Sequence, residues 1–190
     1  MDSNAPAGLF AKGGRVHLRP VEDCDHEALY RWLNDPELRP LIGSVLPEDR
    51  TAIDRYIERL RKSADRIWFM IALNDSGRVI GETGLLRVNW PWRTADVTMI
   101  IGERDCWGRG LASEAMELLL DLAFGELGLH RLAIGVVAGN QRALRWWAKM
   151  GFCREGVQRD GYWGGHRYQD FVMMSLLAPE YRAARGMLPG

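Results

Sequence analysis

A glycine-rich turn between a strand and a helix constrains this chain more than any other stretch. It reads Arg104-Asp105-Cys106-Trp107-Gly108-Arg109-Gly110-Leu111-Ala112-Ser113-Glu114-Ala115. Arg93 to Ile101, before it, is strand-like. After it, Leu111, Ala115, Leu118, Leu119 and Leu122 recur at helical spacing. A helix entered this way leaves its first N–H groups unpaired, with the positive end of the helix dipole behind them. Such a site suits an anion, and a pyrophosphate is the natural guest. Gly108 and Gly110 permit positive φ and a close approach of the backbone. A plain helix entry explains the same glycines. The turn lacks the Gly-Lys-Ser/Thr of a Walker loop. It also lacks the acid that a dinucleotide fold places after the next strand, which here ends Val136-Val137-Ala138-Gly139-Asn140.

The remaining chain supplies what surrounds this turn. Arg15 to Val21 alternates as a first strand. Asp23 or Asp25 can cap a helix to about Asn34, which Asn34-Asp35-Pro36 stops. Residues 35–49 read as a loop. Thr51 to Lys62 is a second helix, with Ile53, Tyr56, Ile57 and Leu60 on one side. Ile67–Leu73, Val79–Val88 and Arg93–Ile101 form an antiparallel meander, turned by Asn74-Asp75-Ser76-Gly77 and by Asn89-Trp90-Pro91-Trp92. Arg131–Val137 is a buried strand, and Asn140 caps a helix that Gly151 ends. Phe152–Val157 and Tyr168–Leu177 are a last strand pair around an aromatic loop, residues 160–166. The class is α+β, a mixed, mostly antiparallel central sheet flanked by helices. The strands on either side of the long helix should be parallel neighbours. One domain spans residues 14–178, with peripheral tails 1–13 and 179–190.

Composition narrows the function. Lys+Arg and Asp+Glu each total 25 in 190 residues, a zero net charge that argues against a broad nucleic-acid footprint. No apolar run is long enough for a membrane span, and no secretory leader is seen. Cys24, Cys106 and Cys153 are odd in number and widely spaced, as in a cytoplasmic protein. Neither they nor the histidines have metal-ligand spacing, so no metal is expected. Cys106 has no Cys/His/acid pattern and reads as a structural or bystander thiol.

Four blocks, in order, resemble the GNAT acetyltransferase superfamily and its RimJ/RimL-type branch. They are Ile80-Gly81-Glu82-Thr83-Gly84, then Ala95-Asp96-Val97-Thr98-Met99-Ile100-Ile101, then Trp107 to Ala115. The last is Val137-Ala138-Gly139-Asn140-Gln141-Arg142-Ala143, followed by Lys149-Met150-Gly151-Phe152 and Glu155-Gly156. The resemblance covers Arg15 to Leu177. It implies a GNAT-like acyl-CoA N-acyltransferase fold and acetyl-CoA as co-substrate. The cofactor would lie on Trp107, Gly108, Arg109, Gly110, Leu111, Ala112 and Ser113. It would run along Met99, Ile100 and Ile101, with Asn140, Ala143 and Trp147 at its arm. The amide of Met99 or Ile100 is then a candidate oxyanion donor.

Transfer to an amine needs a base, because an ammonium of pKa ~10 must first lose a proton. Asp96 and Glu82 are the candidates: both are acids inside otherwise apolar strands. Many relatives carry a general-acid Tyr where this chain has Trp147, so Trp146 and Trp147 read as packing residues. Ser113, Tyr162 and Tyr168 are other possible donors. Tyr162, Trp163, His166 and Asp170 are candidates for the acceptor border. The acceptor would be a small-molecule amine, such as a polyamine, amino acid or aminoglycoside, or a protein N-terminus. Trp90, Trp92 and Trp163 could serve a homodimer interface or equally line the acceptor cleft. The rival reading is a non-catalytic acyl-CoA-binding module on the same fold.

Overall fold

The computed structural model describes residues 10–43 and 46–186. Its strands are β1 (Ala11–Lys12), β2 (Val16–Arg19), β3 (Ile67–Leu73), β4 (Val79–Asn89), β5 (Thr94–Ile101), β6 (Arg131–Val137), β7 (Cys153–Gly164) and β8 (Arg167–Leu177). Its helices are α1 (His26–Asn34), α2 (Arg39–Ile42), α3 (Arg50–Lys62), α4 (Leu111–Leu120), α5 (Gln141–Lys149) and α6 (Ala178–Ala184). The strands form one sheet in the order β1-β2-β3-β4-β5-β6-β8-β7. β5 and β6 are parallel and the other pairs antiparallel, so the sheet is mixed as the element order requires.

Helices cover both faces. α3 carries Ile53, Ile57 and Leu60 at helical spacing and packs them with Leu29 and Trp32 of α1 against Met70 of β3. Full burial of each such side chain contributes roughly 2 kcal/mol. On the other face, Leu111, Ala115, Met116, Leu119 and Leu120 of α4 join Val16, Ile71, Ile80 and Val97. α4 then widens into a π-helical segment, Asp121–Glu126, that buries Leu122, Ala123 and Phe124.

Several expectations are corrected. The loop at 35–49 contains α2, a single turn begun at Arg39-Pro40, where proline is tolerated. The aromatic loop at 160–166 is mostly strand: β7 runs to Gly164, because Tyr162, Trp163 and Gly164 pair with Gln169, Tyr168 and Arg167. The organised chain extends past both expected bounds. Ala11 and Lys12 pair with Leu18 and His17. Beyond residue 178, α6 is docked rather than peripheral, because Tyr181 is buried against Phe124. Residues 1–9 and 187–190 of the two tails lie outside the described residues.

Asp25 does not cap α1 with its side chain, which instead accepts the Glu22 N–H at 2.8 Å in a capping box one turn earlier. It is buried and takes both terminal nitrogens of Arg19, at 2.6 and 2.8 Å. Gly102 marks a close approach: a Cβ there would lie 2.2 Å from the Trp32 ring. Gly102→Ala should therefore lower stability by about 1–3 kcal/mol, the usual cost of overpacking, read as a lower Tm. An unchanged Tm would show that Trp32 can give way.

Candidate active site

The site is assembled where β5 and β6 separate. These strands pair only at Thr94–Arg131, Ala95–Leu132 and Asp96–Ala133. Beyond that point β6 is held by β8 alone, and β5 by β4. The β6-facing backbone of β5 from Val97 to Ile101 has no ladder partner, although a backbone group shut away from water requires one. Met99, Ile100 and Ile101 line this wedge and are all half-buried.

Because β5 and β6 are parallel, the segments that follow them meet at the same sheet end. After β5 comes the glycine-rich turn. Gly108 and Gly110 have φ of 74° and 79°, the left-handed region, and Gly108, Arg109 and Gly110 are exposed. Gly110 is the N-cap of α4 and supplies no side chain, so the N–H groups of Leu111, Ala112 and Ser113 keep no helical or capping partner. A clasp fixes the turn from outside. The Arg15 guanidinium donates to the Arg109 carbonyl at 2.9 Å and to Glu114 at 2.9 Å, and the Arg15 backbone N–H donates to Glu114 at 2.6 Å.

After β6 comes α5. Asn140 caps it, its Oδ1 accepting the Ala143 N–H at 3.0 Å, so that amide is engaged within the protein. The Trp146 indole N–H donates to Ser113 Oγ at 3.0 Å and ties α5 to the start of α4. Arg142 lies 5.0 Å above the Trp107 ring, whose N–H donates to the Ile101 carbonyl at 2.7 Å. Trp147 is buried edge-on to Phe152, inside the core rather than at the wedge.

The two candidate carboxylates part company. Glu82 on β4 pairs in register with Ile100 and Met70, so its side chain lies on the α3 face. It is 1% exposed and has no ion-pair partner among the described residues. Trp68 Nε1 donates to it at 2.8 Å, and the Tyr56 hydroxyl lies 3.3 Å from both carboxylate oxygens. Burial pushes its pKa up to about 7, against the pull of the Trp68 and Tyr56 hydrogen bonds. Burial and the neighbouring Glu82 also push the Tyr56 phenol well above its usual value, so it stays a proton donor. Asp96 lies on the same face four residues from Ile100, roughly 13 Å along the strand. It is ion-paired with Arg87. One acid is therefore desolvated, with its pKa raised to about 7, while the other is ion-paired with a cation.

The aromatic hairpin is placed less directly. The Tyr162 ring approaches Gly43 at the end of α2. Trp163 and Tyr168 form an exposed ring pair, 4.8 Å between centroids. His166 is exposed in the turn with φ of 60°. Asp170 braces the hairpin by accepting the Asp160 N–H at 2.9 Å. Ser113 accepts from Trp146 and retains its own proton. Tyr56 and Trp68 escape sequence reasoning, which shows only an apolar helix side and a strand there. It also misses Glu103, which accepts from Trp32, Arg31 and Arg78 at 3.0, 2.8 and 2.6 Å beside the turn. Burial pushes Glu103 up, but Trp32, Arg78 and Arg31 outweigh it and hold the carboxyl below its usual range.

Residues 15–153 match the Acetyltransferase (GNAT) domain family. The chain belongs to the GNAT acetyltransferase family. It is 30% identical over 172 residues to an uncharacterized N-acetyltransferase of Bacillus licheniformis, spanning 88% of this chain and 95% of the relative. A spermidine N(1)-acetyltransferase of Vibrio cholerae is 30% identical over 171 residues, spanning 88% and 95%. A crystal structure of a Vibrio cholerae spermidine N-acetyltransferase, solved with CoA and spermine, shares the fold at a TM-score of 0.82. It has 23% identity and covers 87% of this chain and 97% of that one. This GNAT protein is thus an N-acetyltransferase, an enzyme of a family that uses acetyl-CoA.

The buried acid gives a stability prediction. The native pKa of Glu82, about 7, lies above its ordinary value of 4.5. The protonated form therefore favours the folded state below about 4.5, and that contribution is lost as pH rises through about 7. The difference corresponds to about 3 kcal/mol. Glu82→Gln should match the parent in urea unfolding at pH 5 and exceed it at pH 8. Equal stability at both values would mean that Glu82 titrates normally.

Proposed function

We propose that this N-acetyltransferase binds acetyl-CoA in the β5–β6 wedge and uses Glu82 to deprotonate a primary amine. The carrying observation is the desolvated carboxylate on β4, in register with Ile100 of the strand that borders the wedge and held by Tyr56 and Trp68. When bound, acetyl-CoA supplies an activated acetyl carbonyl. The residues present suit it: the N–H groups of Leu111, Ala112 and Ser113 face outward for a diphosphate, and exposed glycines leave room beside them. The β5 backbone from Val97 to Ile101 lacks a β6 partner, and its groups not taken by β4 or by Trp107 can pair with the amides of an extended arm; Met99 or Ile100 N–H is our oxyanion donor. The Nδ2 of Asn140 is left over after capping and can reach the same arm.

The acceptor ammonium gives its proton to the Glu82 carboxylate, which releases it to water. The freed nitrogen lone pair is then available to the acetyl carbon. A base with a pKa of about 7 is half ionised at neutral pH, close to the optimum for proton transfer. Asp96, paired with Arg87 where the strands part, is assigned to holding that junction rather than to proton transfer. We place the chain in the RimJ/RimL-type branch on its four motif blocks. The acceptor is an amine, the class to which spermidine, the substrate named for one relative, belongs.

Calorimetry should show micromolar binding of acetyl-CoA and none of NAD. Glu82→Gln should lower kcat by roughly 10²–10⁴-fold, the range for loss of a general base, with the acetyl-CoA Kd nearly unchanged. Asp96→Asn should retain most turnover; the opposite ranking of the two variants would move the base to Asp96. In the parent enzyme kcat/KM should fall below a pH of about 7, and a flat profile there would argue against Glu82.

A further inference from the structure

The charges beside Glu82 are not those expected for a polycationic acceptor. Arg19, Arg31, Arg50 and Arg61, all around α1 and α3, each end on a carboxylate. Arg55, Arg59 and Arg66 make no ion pair among the described residues, and of these Arg59 and Arg66 act on Tyr56. Arg59, on α3, stands 5.5 Å over the Tyr56 ring, and Tyr56 is the residue that touches Glu82. Arg66 is half-buried one step before β3, in phase with Trp68 and Met70, whose side chains face α3. Both guanidinium charges act on the Tyr56 phenol, opposing the larger effects of burial and Glu82.

The nearby acids are otherwise engaged. Asp25 is held by Arg19, and Asp96 by Arg87. Of the charges that act on Tyr56, one anion, Glu82, and two cations, Arg59 and Arg66, carry no ion pair among the described residues. An amine with several ammonium groups would satisfy Glu82 once and meet repulsion from its remaining charges. An amine that also carries a carboxylate would satisfy both sides, since guanidinium forks match a carboxylate with two parallel hydrogen bonds.

Resting on the acetyltransferase reading above, we propose that the acceptor is a small amine bearing a carboxylate, an amino acid in type. Its ammonium faces Glu82 and its carboxylate faces Arg59 and Arg66. The two arginines are thereby specificity-determining residues of the acceptor site.

The test is CoA release from acetyl-CoA, with a panel of free amino acids, the decarboxylated amine of each, and spermidine. The best amino acid should exceed its decarboxylated amine in kcat/KM by about tenfold or more, in line with a charge-assisted pair. Arg59→Met and Arg66→Met should each remove most of that preference, chiefly by raising KM. Turnover of the decarboxylated amine should fall clearly less than that of the amino acid, because it has no carboxylate to lose a partner. Arg59→Lys should restore part of the preference, and thermal unfolding should show all variants folded. Spermidine preferred over every amino acid would overturn the acceptor class and leave the acetyltransferase reading standing. So would equal losses on both members of a pair. Absence of acetylation with every amine would overturn both.

Discussion

The arrangement depends on a backbone left without a partner. A sheet normally satisfies each strand's N–H and C=O groups on both sides, and an interior strand that does not is unfavourable unless something else fills the gap. Here β5 keeps β4 along its length but loses β6 after Asp96. The split is held open from both sides: β8 pairs β6 along its whole length, from Arg131 to Val137, and the meander fixes β5. The helices that follow the two strands are cross-tied by the Trp146–Ser113 hydrogen bond and the Arg142–Trp107 contact. The wedge is thus a consequence of topology, and helix α4 places its unpaired amides at its mouth.

The second dependence is on desolvation. Glu82 sits in a layer of apolar side chains with Trp68 and Tyr56 as its donors. Those two hydrogen bonds keep the charge tolerable, and burial keeps the proton exchangeable near neutrality. Replacing either influence by a cation would make an ordinary ion pair, as Arg87 does for Asp96.

How much of this could be read in the sequence follows from the range over which each signal acts. The meander, α3, the turn and α5 rest on local periodicity, turn residues and caps, and these were legible. The α2 turn, the two-residue β1 and the docking of α6 are short pieces stabilised by contacts with distant elements, so local pattern carried little of them. The same holds at the site. Glu82 and Asp96 look alike as acids in apolar strands. Their difference lies in Tyr56, which is 26 residues from Glu82, and in the Arg87 pairing across the β4–β5 turn. Asn140 is legible as a cap, yet only the folded geometry spends its oxygen on Ala143 and leaves its nitrogen over.

One edge of the sheet has a consequence for life at high protein concentration. β7 is twelve residues long, lies at the end of the strand order, and has no buried residue along it. A flat edge of that length would template further strands. Its register with β8 shifts twice, between Arg154 and Gly156 and between Gln158 and Tyr162. Arg154, Glu155, Arg159 and Asp160 set both signs of charge along it. Irregular spacing and alternating charge make the strand a poor seed for sheet-to-sheet growth, so the polymer that a longer, smoother border would invite has nowhere regular to begin.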